Sequence, residues 1–230
     1  VTLNNPADNS FSNQNNINFN FTAVDFDGID SCSLYSNFTG SWALNETFNF
    51  VSSGVVVNTK KNLTDGGHGW YVNCTDNLGG SNVSLSNYTI TKDTVNPFVN
   101  ITTANNTQVT GSSTTINYNI TDDRSLNICY FTLRDSLDIV HNYAENTSLD
   151  CTSTNRSFSV TDIGTYTLRI WADDSAGNKN STLIYFTSLS IGGVGGGVGG
   201  AVGGGVSLLD FSITTLNFQD TLNIIMPKDS

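Results

Sequence analysis

From Asn15 to Thr22 the chain alternates apolar with polar side chains, and Val55–Asn58, Trp70–Thr75 and Val83–Ile90 do the same. A period of two sends successive side chains to opposite faces, so each run reads as a strand with one buried face. Clusters of Gly, Asn, Asp and Ser break the runs at intervals of about 8–12 residues, the spacing of strands that fold back on one another. The alternation returns at Thr115–Thr121, Ile128–Leu133, Arg156–Val160, Tyr166–Ala172 and Thr182–Phe186. The pattern predicts an all-β chain of about seven strands per copy, packed as two-sheet Greek-key sandwiches.

The return is a duplication. Gly66–Gly79 lies over Gly164–Gly177, with Trp70 on Leu168, Val72 on Ile170, Cys74 on Ala172 and Asp76 on Asp174. Ile17–Thr22 matches Ile116–Thr121, and Val1–Asn4 sits over Val99–Thr102. A constant shift near one hundred residues is the size of one sandwich. The expected organisation is a first β-sandwich domain over 1–93 and a second over 94–188. A Gly/Val-rich stretch over 189–206 follows, and then a short β segment over 207–230. Val194, Val198, Val202 and Val206 recur through the glycine run. It reads as a flexible tether, with an ordered assembly element as the alternative. The final segment reads either as the start of a truncated third domain or as a donor strand for a neighbouring subunit.

Composition narrows the partners. Asn, Ser and Thr make up about 37 % of the 230 residues, charged residues only 13 %, and the net charge is −11. Without a basic stripe, nucleic acid is excluded as a partner, and no apolar run is long enough to enter a membrane within this segment. The chain opens at Val1 with no Met and no leader, as expected of a mature protein or a piece of a longer one.

Cys32, Cys74, Cys129 and Cys151 show no metal-binding spacing. Their even number favours two disulfides and an oxidising exterior, with four buried thiols as the alternative. Acceptor triplets for N-linked glycans occur at Asn20, Asn37, Asn45, Asn62, Asn73, Asn82, Asn87, Asn100, Asn105, Asn119, Asn146, Asn155 and Asn180. That is roughly twice the number such a composition produces by chance. An extracellular, glycosylated protein is expected.

The stretches Cys32–Tyr35, Gly40–Trp42, Trp70–Gly79, Asp93–Pro97 and Ala172–Asn178 resemble the immunoglobulin-like repeats strung in tandem along prokaryotic, particularly archaeal, cell-surface proteins. The resemblance covers about 1–188 and implies a non-catalytic spacer, fibre or adhesive stalk. It implies that Cys32 pairs with Cys74 across two central strands. Because Ala172 stands at the Cys74 position of the second copy, Cys129 is left to pair with Cys151 over a shorter loop. Implied partners are copies of the chain itself, other surface proteins or glycans.

Catalytic chemistry finds little support. His68, in a turn read at Gly66–Gly69, and His141, in a polar stretch, read as surface histidines without the Ser and acid of a nucleophile system. Trp42 with Glu46, and Trp171 with Asp173 and Asp174, read as core tryptophans beside solvated acids rather than a glycosidase pair. No enzyme is expected, and no cofactor is required.

One cluster carries more content. Asp25, Asp27 and Asp30 follow the second strand and Asp76 precedes the last. In the second copy Asp122, Asp123, Asp173 and Asp174 repeat the arrangement, and Asp93 arrives from the linker. These loops leave one end of an immunoglobulin-like sandwich together, so their carboxylates offer a Ca²⁺ site. The plainer alternative is that Asp stands there because it favours turns. Two functional alternatives to a passive spacer also stand. One is an adhesin that holds a carbohydrate or protein, with an exposed Trp42 as its mark. The other is a filament subunit joined by strand donation.

Overall fold

The computed structural model describes residues 1–140, 143 and 145–190. His141, the glycine run from residue 191 onward and the segment 207–230 lie outside the described residues. Every regular element among the described residues is a strand. In the first half these are β1 (Thr2–Asn5), β2 (Ser10–Ser12), β3 (Ile17–Thr22), β4 (Ile29–Ser36), β5 (Ala43–Asn49), β6 (Val56–Lys61), β7 (Gly66–Asp76), β8 (Ser81–Val83) and β9 (Tyr88–Lys92). In the second half they are β10 (Phe98–Ile101), β11 (Thr107–Thr110), β12 (Ser113–Thr121), β13 (Leu126–Arg134), β14 (Thr147–Leu149), β15 (Asn155–Ser159), β16 (Gly164–Asp174) and β17 (Lys179–Ser190).

The first half makes a sheet β1-β3-β6 facing a sheet β2-β9-β7-β4-β5, with β8 beside β7. The second half repeats it as β10-β12-β15 facing β11-β17-β16-β13-β14. Each half is a complete two-layer sandwich with its own apolar cluster.

The alternation read along the chain is the alternation of burial. Ile17, Phe19 and Phe21 of β3 face inward while Asn18, Asn20 and Thr22 face out. Phe19 packs edge-on against Trp70 at 5.1 Å between ring centres. Leu34, Val72 and Cys32 are fully covered in the same core. In the second sandwich Ile116, Phe131, Leu168, Ile170 and Phe186 do the same work. Each such side chain contributes about 1.5–3 kcal/mol on burial, so the set outweighs any single polar contact.

In both sandwiches the entering strand is divided between the sheets. β1 pairs antiparallel with β3, and β2 then pairs parallel with β9, at Ser10↔Ile90, Phe11↔Thr91 and Ser12↔Lys92. The amide of Asp93 extends this pairing by donating to the Ser12 carbonyl at 3.0 Å. Likewise β10 pairs with β12, and β11 runs parallel to β17 from Thr107↔Phe186 to Thr110↔Ser190. The first and last strands of each sandwich thus lie side by side and point the same way.

Cys32 and Cys74 are bonded, as are Cys129 and Cys151. Cys32 and Cys74 occupy directly opposed positions on β4 and β7. Their bond therefore crosses two neighbouring strands of one sheet, unlike the sheet-to-sheet staple of antibody domains. Cys151 lies just beyond β14, the edge partner of β13.

Three expectations are corrected. The stretch Val83–Ile90 is two strands rather than one. Buried Ser84 interrupts it: its amide donates to the Val72 carbonyl at 2.8 Å, and its Oγ accepts from the Val72 amide at 3.4 Å. Gly66–Gly69 is the start of β7, paired with β9, and no turn, because glycines are tolerated where a neighbour covers the strand. His68 is consequently buried, with Nε2 2.8 Å from the Thr64 carbonyl, and is not a surface histidine.

The Cys32–Cys74 loop spans 42 residues, for which chain entropy gives about 4 kcal/mol of stabilisation. The 22-residue separation of Cys129 and Cys151 gives about 3 kcal/mol. Replacing Cys32 and Cys74 together by Ser lowers the melting temperature by roughly 15 °C or more, as read by calorimetry. A loss under about 5 °C would mean the bond restrains little of the unfolded chain.

Candidate functional site

The densest polar arrangement lies where β9 hands over to β10. Asp93, at the head of this connection, is buried, and so are Asp174 and Asn178. The Asn178 side chain sits at the centre. Its Nδ2 donates to the Asp93 carbonyl at 3.0 Å and to Asp174 Oδ2 at 2.7 Å. Its Oδ1 accepts from Asn13 Nδ2 at 3.2 Å, and its amide donates to Asp174 Oδ1 at 2.8 Å. One amide side chain thereby ties the first sandwich, the connection and the β16–β17 turn together. Asn180 Nδ2 adds a bond to the Pro97 carbonyl at 2.8 Å.

The same place gathers negative charge. One carboxylate oxygen each from Asp93, Asp122 and Asp123 lie within 4.8 Å of one another, the sole such acidic group of three among the described residues. Asp93 Oδ1 accepts the Val95 amide at 2.9 Å, and Asp122 Oδ1 accepts the amides of Arg124 and Ser125. Asp93 Oδ2 and Asp122 Oδ2 are buried and have no hydrogen-bond partner. Burial pushes the Asp93 carboxyl above its usual range; the Val95 amide opposes this, and the charges of Asp123, Asp174 and Asp122 add to it. Arg124 pairs with this group only at Asp123, 3.5 Å away.

The other expected acids are placed elsewhere. Asp25 Oδ1 accepts the Asp27 amide at 2.9 Å, and Asp27 and Asp30 are exposed. Asp76 Oδ1 closes its own turn on the amides of Leu78 and Gly80. Asp25 and Asp76 line a shallow cleft of about 280 Å³ with Val1, but no third carboxylate joins them. Asp173 is paired with Lys179 and accepts from the Tyr130 hydroxyl.

Aromatic residues occupy the outer face of the first sandwich. Trp42 is 49 % exposed, and a Cβ at Gly69 would stand 2.9 Å from its ring. Trp42 leans on Tyr71 at 5.5 Å, and Tyr71 stacks on Tyr35 at 5.0 Å with 7° between planes. Trp171 likewise faces outward, stacked on Tyr130, so neither it nor Trp42 is a core tryptophan. Glu46 is no free acid. Burial works to raise its carboxyl, but bonds from Lys61 and Thr59 and the Lys61 charge hold it below the usual range.

Among the glycan acceptor triplets, Asn45, Asn62, Asn82, Asn87, Asn100, Asn105, Asn119, Asn146, Asn155 and Asn180 are exposed, whereas Asn20, Asn37 and Asn73 are half-buried. Asn37 Oδ1 holds the Gly69 amide at 2.7 Å, and the Asn20 and Asn73 Oδ1 atoms are covered.

Sequence reasoning missed Asn178, Asn13 and Lys92. Lys92 is buried with its Nζ unpartnered, two positions beyond Ile90 on the inward face of β9, so the period of two already pointed it inside. Asn178 stands in the Ala172–Asn178 stretch, but nothing local indicates that its partners lie 85 and 165 residues away.

No family model and no curated protein matches this sequence. The chain is similar in structure to the fibronectin(III)-like modules of Clostridium thermocellum CbhA, at 11 % identity, covering 82 % of this chain and 94 % of that one with a TM-score of 0.50. A second solved structure, the FN1–FN3 domains of chicken CNTN1, aligns at 11 % identity over 81 % of this chain and 67 % of that one, TM-score 0.40. At such identity the CbhA likeness speaks for the fold alone: tandem β-sandwiches of the fibronectin and immunoglobulin type.

Proposed function

We propose that this chain is a non-catalytic, load-bearing spacer of a secreted or cell-surface protein, with 1–93 and 94–188 as its two modules. The observation that carries this is the parallel pairing of entering and leaving strands in each sandwich. Tension applied at the two ends of a module pulls β2 and β9 past each other along their length. The ladder bonds must then yield together, in shear, instead of opening one by one. The two disulfides support an oxidising location outside the cell and shorten what can be pulled out. N-linked glycans belong to the same reading.

Force spectroscopy of single molecules tests it. Ser12, whose carbonyl accepts the Asp93 amide, turns its own amide toward β9 as well, so Ser12→Pro removes a ladder donor from the parallel pair. The unfolding force of the first module then falls to about half or less, while a proline on an unpaired loop leaves it unchanged. Equal forces for the two variants would sink the mechanical reading. Reduction lengthens the extended chain by about 150 Å for the Cys32–Cys74 loop and about 80 Å for Cys129–Cys151, at about 3.5 Å per residue.

Glycopeptide mass spectrometry of native material finds sugar on exposed acceptors such as Asn45, Asn62, Asn87 and Asn155, and none on Asn73. Full occupancy of Asn73, or none anywhere, contradicts this.

A second reading, an adhesin for carbohydrate, is favoured by the half-exposed Trp42 ring leaning on Tyr71, since sugar rings stack on exposed aromatic faces. In that case Trp42→Ala abolishes binding on a glycan array without lowering the melting temperature by more than a few degrees. Wild-type protein that binds no glycan removes this reading.

A further inference from the structure

We propose that Asp93, Asp122 and Asp123 form a Ca²⁺ site that locks the connection between the two sandwiches. The acidic cluster alone would not carry this. The second observation is that Asp93, 1 % exposed, keeps Oδ2 without a hydrogen-bond partner inside the cluster, and Asp122 Oδ2 is covered and unpartnered beside it. A buried carboxylate oxygen with neither donor nor water access costs free energy unless something positive meets it. Among the described residues no cation is paired with either oxygen: Arg124 contacts only Asp123, Lys179 is committed to Asp173, and the buried Lys92 Nζ has no hydrogen-bond partner.

The donor chemistry selects the ion. All three ligands are carboxylate oxygens, with no sulfur or imidazole, which suits a hard divalent cation. Opposite ligands of Ca²⁺ stand about 5 Å apart, whereas those of Mg²⁺ stand about 4 Å apart. Carboxylate oxygens that all lie within 4.8 Å of one another can reach a Ca²⁺ ion together from where they stand. The neighbouring Asp174 carboxylate, already satisfied by Asn178, adds negative potential and leaves its own bonds intact. Asp93 comes from the end of β9, and Asp122 and Asp123 come from the β12–β13 loop, so the ion spans the junction. It restrains a connection of five residues, 93–97, that is otherwise held through Asn178 and Asn180. This inference is independent of the mechanical reading and survives its failure.

The test uses the full chain. Thermal unfolding and isothermal calorimetry are followed with CaCl₂ up to 10 mM against EDTA, at fixed ionic strength, with MgCl₂ as a parallel arm. Wild-type protein melts about 3–10 °C higher in Ca²⁺ than in EDTA, with half-saturation between about 0.1 and 1 mM. Mg²⁺ gives less than half the shift. Asp93→Asn folds, melts in EDTA at or above the wild-type temperature, and loses the Ca²⁺ shift. Asp123→Asn, an exposed substitution that cannot disturb the core, loses at least half of it. Asp27→Asn, in the first sandwich, keeps it whole. No shift and no binding heat at 10 mM Ca²⁺ overturns the site, as does a full shift in Asp123→Asn. An equal response to Mg²⁺ overturns the choice of ion.

Discussion

Everything in this molecule rests on the two-faced character of its strands. A pleated strand with one apolar face must find a second such face, and the cheapest solution for a chain without helix-forming sequence is two sheets turned toward each other. The cores assembled from β3, β4 and β7, and again from β12, β13 and β16, meet that demand twice. Each core is small, and the disulfide on its widest sheet compensates by limiting the freedom of the unfolded chain.

The outward faces were then free to take on other roles. Asn, Ser and Thr line them, which keeps an acidic, weakly charged surface wet without long flexible side chains. Against this background the junction stands out, since polar groups there are buried rather than solvated. Asn178 satisfies its donors and acceptor fully, whereas Asp93 is left with an unanswered oxygen. Asn178 thus holds the joint with its polar atoms answered, while the Asp93 oxygen beside it has no hydrogen-bond partner.

Much of the fold was legible in the chain itself. The alternation of Ile17, Phe19 and Phe21, and the repeat of Trp70–Asp76 by Leu168–Asp174, located the central strands and the duplication. The split of the entering strand between two sheets was not legible, because β1 and β2 are each too short to declare a period. Nor was the burial of His68, which depends on β9 covering a glycine-rich stretch that looks like a turn when read locally. The acidic loops illustrate the limit at the site. Nine aspartates shared one local pattern, yet only the three whose backbones converge at the connection come together. Asp76 and Asp25 spend their oxygens on their own turns. That distinction depends on contacts across roughly thirty to eighty residues of sequence, and short-range spacing does not encode it.

The parallel seam between β2 and β9 also has a defensive side. An uncovered last strand would offer its amides and carbonyls to any passing chain, and on a crowded surface this invites sheets to fuse end on. By folding its own beginning over that border, each sandwich replaces a long open edge with a strand of three or four residues, and the other margin of the larger sheet is β5 in the first copy. That margin bears Asn45, in an Asn-Glu-Thr triplet, beside the ion-paired Glu46. A neighbouring sheet would meet these polar side chains before it met the free amides of the strand.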